Sequence, residues 1–305
     1  MSGDIVYRVP NIEDAEAVSD LYKTVYSGKY PYKEFNYPDS LKPLFAREDF
    51  VWCLAFDDEK LVGSGVATAQ AWNMSAEIGK VVVDRDYRGN GIAQNLCCMV
   101  QSEIEQKGYE LTWASVRNTH GFKIALNNLG MNVVGYLPGS HRVKEREVHF
   151  FTQRLSDSAK AARVRASDVT LYSPKLFRTI DLECSNKNTI SGKYPDDVIV
   201  AYQTPNFELH GNYHGGDSNL TITSLDGGTK FPQYIETTVL IDKLENIENL
   251  KSSGFQITSF LPGWFLCDGK RYDCMRLSLP LVQPKLQDVG LQTVYDDILE
   301  GLLWV

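Results

Sequence analysis

The sequence predicts an α/β (α+β) protein of two related domains. Each is a mixed, mostly antiparallel sheet flanked by helices, the first complete and the second lacking one helix. Three observations predict this. At 305 residues the chain exceeds the roughly 100–200 residues usual for one domain. In its first half, short apolar runs bounded by turn residues alternate with segments of helical spacing. A shift of 124 residues lays Leu126, Gly130 and Tyr136-Leu137-Pro138-Gly139 on Leu250, Gly254 and Phe260-Leu261-Pro262-Gly263 without a gap, the mark of an internal repeat. One large domain fits the length as well.

Taken in order, Ile5 to Val9 reads as a strand. From Pro10 to Val25 apolar residues recur at helical spacing (Ile12, Ala15, Val18, Leu21, Val25), with Asn11 as the cap. Tyr26 to Tyr37 is polar and aromatic. Val51 to Phe56 and Leu61 to Gln70 flank Asp57-Asp58-Glu59-Lys60 as a hairpin. The strand Ala76 to Val83 runs into the turn Arg88-Gly89-Asn90-Gly91 and a helix from Ile92 to Gln106, which Lys107-Gly108 stops. Leu111 to Val116 is a strand and Phe122 to Leu129 a helix ended by Gly130. A strand from Asn132 to Leu137, followed by a Pro-Gly turn, and one from Glu147 to Leu155 close a first domain at 1–155. Ser156 to Arg163 is small and charged without an apolar face, so a linker is placed at 156–167. The second domain, 168–305, opens on a strand near Asp168 to Tyr172 and ends on the apolar Tyr295 to Val305.

A second match supports the repeat. A shift of 164 residues sets Pro10 and Ser27-Gly28-Lys29-Tyr30-Pro31 on Pro174 and Ser191-Gly192-Lys193-Tyr194-Pro195. The second copy is therefore shorter by about 40 residues between the two anchors. Asp84 to Glu110 carry the glycine turn and its helix in the first copy, and only about Asp226 to Gln233 lie at the corresponding place in the second. One ligand site per chain is expected, in the first half.

A formal net charge of −8 argues against non-specific binding of nucleic acid, which needs clustered Lys and Arg. A neutral or cationic small substrate fits better. The six cysteines (Cys53, Cys97, Cys98, Cys184, Cys267, Cys274) show neither metal-ligand spacing nor a disulfide framework, so reduced, mostly buried thiols are expected. Met1-Ser2-Gly3-Asp4 opens no signal peptide, and no apolar run approaches the roughly 18 residues that span a bilayer. A cytoplasmic protein without membrane or nucleic-acid partners, monomeric or homodimeric, is implied.

The glycine turn carries the chemistry. A strand entering Arg88-Gly89-Asn90-Gly91 and leaving directly as a helix aims several backbone N–H groups and the positive helix end at one spot, which suits a pyrophosphate. Glycine permits positive φ and close approach of the backbone to a ligand, and Arg88 can add a charge-assisted contact. A tight strand-to-helix turn without ligand has the same sequence. Neither the GxxxxGK[ST] nor the GxGxxG spacing is present.

Ala76-Glu77-Ile78 through Val81-Val82-Val83-Asp84-Arg85-Asp86-Tyr87-Arg88-Gly89-Asn90-Gly91-Ile92-Ala93 resembles motif A of the GNAT superfamily of N-acetyltransferases. Trp113-Ala114-Ser115-Val116 through Asn118 to Leu129-Gly130-Met131 resembles its motif B. The element order over residues 5 to 155 matches too, and the second half resembles only the superfamily's beginning and end. The resemblance implies acetyl-CoA as co-substrate, with no metal. The pyrophosphate would lie on Arg88, Gly89, Asn90, Gly91, Ile92 and Ala93, the pantetheine along Val81, Val82 and Val83, and Asn118 near the pantetheine.

Two positions depart from the pattern. Asp86 stands where the superfamily's (Q/R)xxGx(G/A) begins, and Leu126 where many members carry a tyrosine that protonates the leaving thiolate. Glu77, where several members have a catalytic glutamate, is the expected general base; the alternative is an exposed or salt-bridged strand glutamate. Lys29, Tyr30 and Tyr32 fall in the segment that binds the acceptor in the superfamily, and His120 could face the acceptor; a solvated connection and a surface histidine are the alternatives. Cys97 and Cys98 have no histidine placed to activate them. The expected activity is direct acetyl transfer to a small-molecule amine in a ternary complex. Rivals are a coenzyme-binding sensor that has lost chemistry, or transfer of a different acyl group or to a protein amine.

Overall fold

The computed structural model describes residues 4–280, apart from 31, 118, 143–145, 167–174, 188, 190–191, 196–198, 204–207, 215–220 and 227–233. It divides into two compact units: Met1–Ala114 with Lys123–Met131, and Ser115–Phe122 with Asn132–Val305. The division read from composition falls at 155 instead. Residues 132–155 join the second unit because their strands pair with strands of that half.

The first unit opens with β1 (Val6–Arg8). Asn11 accepts hydrogen bonds from the amides of Glu13 and Asp14, at 2.9 and 3.2 Å, while the Asp14 carboxylate accepts the Asn11 amide at 2.7 Å. This reciprocal cap closes a 3-10 turn, Ile12–Asp14, and α1 (Ala15–Tyr26) follows it, so Asn11 caps the turn rather than the α-helix itself. Ser27, at φ 55°, ends α1.

After α2 (Pro38–Phe45) come β2 (Phe50–Asp57), β3 (Lys60–Gln70), β4 (Ser75–Val83), α3 (Ile92–Gln106) and β5 (Leu111–Val116). The strands lie in the order β1-β2-β3-β4-β5, antiparallel except for the parallel pair of β4 and β5, in which Glu77 is level with Trp113. The α1 residues Val18, Leu21 and Tyr22 pack with Phe35, Leu41, Trp52, Leu54 and Val66 in an apolar core. Helix α3 lies close on β3 because Gly63 and Gly65 leave room. A Cβ on Gly63 would stand 3.0 Å from Ile92 Cγ2 and Leu96 Cδ1, and one on Gly65 3.1 Å from Leu96 Cβ.

The chain continues through α4 (His120–Lys123), which widens into a π-helical segment at Ile124–Asn128. Then follow β6 (Asn132–Arg142), β7 (Arg146–Leu155), α5 (Asp157–Ala162), β8 (Arg163–Val164) and α6 (Lys175–Glu183). Beyond them lie β9 (Ile199–Gln203), β10 (Glu208–His214) and β11 (Thr221–Asp226), and finally β12 (Tyr234–Leu240), α7 (Leu244–Ser252), β13 (Gln256–Cys267) and β14 (Lys270–Pro280). In the second unit the order is β7-β6-β13-β14-β12, with β8 beside β14, and β11-β10-β9 form a small sheet.

The expected linker 156–167 is folded where it is described. Ser156 caps α5 through the amide of Ala159, and Arg163 is fully buried. Its guanidinium holds Asp273 through two contacts of 2.7 and 2.9 Å and Asp181 at 2.5 Å. The charge that looked solvated in the sequence is satisfied by two buried carboxylates.

The 124-residue offset reappears in the elements. The helical stretch His120–Asn128 corresponds to α7 (Leu244–Ser252), and β6 begins 124 residues before β13. Gly130 and Gly254 both stop their helices at positive φ, 62° and 93°; Gly139 and Gly263 also take positive φ, 95° and 57°, within strands that continue past them. The Pro-Gly pairs expected to end the strands as turns are bulges instead. The β6/β7 ladder slips between Pro138 and His141 and the β13/β14 ladder between Leu261 and Phe265, after which both pairs resume. A bulge absorbs the missing N–H of proline and the left-handed glycine without ending the ladder. The expected strand Asp168 to Tyr172, the terminal Tyr295 to Val305 and most of the short connection Asp226 to Gln233 lie outside the described residues.

Candidate coenzyme and acceptor site

Strand β4 is distorted just before the glycine turn. Ser64 pairs with Val82 and Val66 with Gly79, so two β4 residues, Lys80 and Val81, stand opposite the single residue Gly65. Lys80 takes φ 52° at this bulge, a costly conformation for a residue with a side chain. Tyr22 supports it, its hydroxyl donating to the Lys80 carbonyl. Bulged strands re-aim side chains and free backbone groups from the ladder.

The turn beyond is held from behind. The Asp84 amide donates to the Val62 carbonyl at 2.9 Å, the Asp84 carboxylate accepts the Asp86 amide at 3.1 Å, and Tyr87 donates to Asp57 at 2.8 Å. Arg88 Nε reaches the Val83 carbonyl at 3.3 Å and Asn90 Nδ2 the Tyr87 carbonyl at 3.2 Å. Gly89 and Gly91 both have positive φ, 85° and 76°, with open space where a side chain would be. Gly91 is the N-cap of α3, and no side chain caps that helix. The first N–H groups of a helix have no partner within it, so an exposed glycine turn here presents donors and the helix dipole together. Ile92 is buried, Ala93 half-buried, and Arg88 to Gly91 exposed.

Residues 15–128 match the acetyltransferase (GNAT) family. The matched stretch, somewhat over a third of the chain, holds the β4 bulge and the glycine turn. No curated protein matches the chain. Among solved structures it is similar to the PaiA N-acetyltransferase of Thermoplasma acidophilum in complex with coenzyme A, at 20% identity over 50% of this chain and 99% of that one, TM-score 0.38. An N-acetyltransferase from Staphylococcus aureus Mu50 is 18% identical over 50% of this chain and 99% of its own, TM-score 0.45. YncA, a putative acetyltransferase from Salmonella typhimurium with its cofactor acetyl-CoA, is 15% identical over 50% and 94%, TM-score 0.44.

Within the matched stretch, Glu77 is half-buried and reaches Lys80 Nζ at 3.5 Å; Lys80 also donates to Thr68 Oγ1 at 3.1 Å and lies 5.2 Å from the centre of the Tyr32 ring. Two of the three residues expected to meet the acceptor come to this place. Tyr32 feels Glu77, and burial, reinforced by Glu77 and Glu34, raises its phenol. Tyr30 is buried against Tyr22, Tyr26 and Phe35, an aromatic stack that fixes the loop. Lys29 is exposed on the approach to the stack, and His120 is exposed at the start of α4. Asn118 lies outside the described residues. Leu126 sits half-buried in the π-helical segment.

Sequence reasoning missed a second polar cluster, in the other unit. Ser115 Oγ lies 3.0 Å from His149 Nδ1. His149 Nε2 is 3.4 Å from Glu147 Oε2, and Glu147 accepts Arg117 Nε at 2.7 Å and Nη2 at 3.3 Å. Burial lowers the His149 imidazole against the pull of Glu147. Burial also opposes ionisation of Glu147, yet His149 and Arg117 outweigh it and hold this carboxyl below its ordinary range. The signal available was the alternation Glu147-Val148-His149 in a strand, two titratable residues on one face.

Cys53 is pushed up to about 11 and Cys97 to about 12, both by burial. Neither is a ready nucleophile. Among the described residues no three His, Cys, Asp or Glu gather as metal ligands, and no helix is long and apolar enough to cross a membrane.

Proposed function

We propose that the chain transfers an acetyl group from acetyl-CoA to a small-molecule amine, directly and in a ternary complex. The observation that carries this is the bulged strand β4 running into a left-handed glycine turn that opens α3 uncapped, within the segment matching the GNAT acetyltransferase model. On this reading Arg88 to Ala93 hold the pyrophosphate and Val81 to Val83 run beside the pantetheine. Coenzyme A and acetyl-CoA are named with two of the similar solved structures.

Transfer needs a neutral amine and a polarised thioester. Glu77 is the base of this reading, taking the proton of a bound ammonium. Its pairing with Lys80 at 3.5 Å orients it, and Tyr32 gives the acceptor an aromatic wall. Glu77→Gln therefore removes activity most strongly at low pH, where the amine enters protonated, and a flat ratio of variant to wild type across pH would exclude that role.

We further propose that the second half is a degenerate copy of the first, without a coenzyme site of its own. The matched offsets, the paired left-handed glycines and the paired bulges support this. Calorimetry with coenzyme A tests the whole reading: one site per chain is expected, and absence of binding sinks it. Binding together with no thiol release from acetyl-CoA for any amine would favour a coenzyme-binding sensor, a reading that Leu126 supports by lacking a hydroxyl at the usual acid's position.

A further inference from the structure

In the first unit, Glu77 stands beside a charge of the opposite sign. It lies on β4 as the register partner of Thr68 on β3. Gly79 follows on the same strand and adds no side chain; the position its Cβ would take is 3.7 Å from Glu77 Oε1. At the bulge Lys80 takes φ 52°, and its ammonium reaches back to Glu77 Oε2 at 3.5 Å and across to Thr68 Oγ1 at 3.1 Å. The Tyr32 ring centre is 5.2 Å from the same ammonium. Neither charge is used up by the pair. Charge-assisted N–H···O bonds run at about 2.7–2.9 Å, so the contact of 3.5 Å is loose. Lys80 makes two hydrogen bonds where an ammonium has three donors, and among the described residues Glu77 Oε1 accepts none.

That arrangement discriminates between acceptors by charge. The amine to be acetylated arrives protonated and must reach Glu77. A simple amine brings a second cation beside Lys80, whose side chain is only 9% exposed, so solvent screens the two like charges poorly. A free α-amino acid instead brings a carboxylate on the same carbon as its amine. Its ammonium meets Glu77 Oε1 while its carboxylate meets the unused donor of Lys80, and each of the four charges then touches one of opposite sign. The close spacing of the two groups in an amino acid suits side-chain heads that lie 3.5 Å apart. The amino end of a peptide or protein lacks that carboxylate.

We infer that the acceptor is a free α-amino acid, whose carboxylate Lys80 holds while Glu77 takes a proton from its ammonium. This rests on the acetyltransferase reading and names the class of amine within it. The nitrogen, relieved of that proton, bonds to the thioester carbon. The carbon–sulfur bond breaks, and the nitrogen's surplus proton leaves with the sulfur as the thiol. The products are an N-acetyl amino acid and coenzyme A, and the proton on Glu77 returns to water. Lys80 touches the substrate without entering the proton transfers, so it sets specificity. Thr68 is a positioning residue, holding the ammonium of Lys80 beside Glu77.

The test measures thiol release from acetyl-CoA with each of the common amino acids, and with the amide of every one that reacts. The amide keeps the shape and has the more readily deprotonated amine, but it lacks the negative charge. The acid is expected to exceed its amide about 10- to 100-fold in kcat/KM, the scale of one charge-assisted hydrogen bond. Lys80→Met should remove that preference, and Lys80→Arg, which keeps a cation, should retain most of it. Calorimetric binding of coenzyme A to each variant shows that its fold is intact. Amides used as well as acids, a preference that survives Lys80→Met, or coenzyme A binding without thiol release for any amino acid overturns the assignment. If amides turn over and acids do not, the acetyltransferase reading stands and the amino-acid class alone falls. If the wild type binds no coenzyme A, the reading itself falls and takes this class with it.

Discussion

Gly135 and Ser259 are register partners where β6 and β13 run antiparallel, and they are 124 residues apart, the offset at which Gly130 and Pro138-Gly139 match Gly254 and Pro262-Gly263. The approach is close. A Cβ on Gly135 would overlap the Ser259 side chain and the Thr258 carbonyl, and a strand carbonyl cannot turn aside as a side chain can. Gly135→Ala is expected to destabilise the protein by about 1–3 kcal/mol, the scale of overpacking. Urea denaturation with an unchanged midpoint would show that the two strands are not so tightly joined.

Arg163 anchors the second unit from inside. Its two carboxylate partners, Asp181 and Asp273, are as buried as it is, and Asp273 also accepts the Gly263 amide at 2.9 Å, tying the ion pair to the β13 bulge. Arg163→Ala leaves both acids without their shared partner, so a loss of about 3–5 kcal/mol is expected. Calorimetric melting should also show that the double change Arg163→Met with Asp273→Leu costs less than Arg163→Ala.

The glycine turn separates conformational from steric effects. No atom lies within 4 Å of where a Gly91 Cβ would be, yet its φ is 76°. Gly91→Ala should therefore cost about 1–2 kcal/mol through strain alone, lowering the melting temperature by only a few degrees, while weakening coenzyme A binding by tenfold or more through misaimed N–H groups. Calorimetric titration reads both the affinity and the stoichiometry.

Glu236 gives a pH dependence. It is buried, and burial raises its carboxyl, with Arg276 pulling the other way; the Tyr234 hydroxyl donates to it at 2.7 Å. A carboxyl whose folded value exceeds its unfolded one holds its proton more tightly in the folded chain. Its contribution is then present below the unfolded carboxylate range and is lost as pH rises through the folded value. Glu236→Gln keeps the shape and the acceptor for Tyr234 without a charge to bury. Its stability relative to wild type should improve from pH 4 to pH 8, measured by urea midpoints; a constant difference would show that Glu236 stays ionised.

Much of the first unit was legible because its cues are local. The α3 bounds follow from an apolar stripe between two glycine signals, and β5 from an apolar run. The strand bulges were not legible: Pro138-Gly139 reads as a turn, and only pairing with β7 carries the strand through to Arg142. Arg163 looked like linker charge because nothing near it in sequence announces Asp181 or Asp273.

By itself the sequence determined the glycine turn and the coenzyme class that its flanking motifs resemble, since each is written in residues adjacent along the chain. The tertiary structure decided which polar residues meet. Ser115 and His149 lie 34 positions apart, and it is strand packing that brings their atoms within hydrogen-bonding distance. It also decided that Tyr30 is a core aromatic while Tyr32 faces Glu77 and Lys80, because burial and partners depend on neighbours that local sequence does not contain.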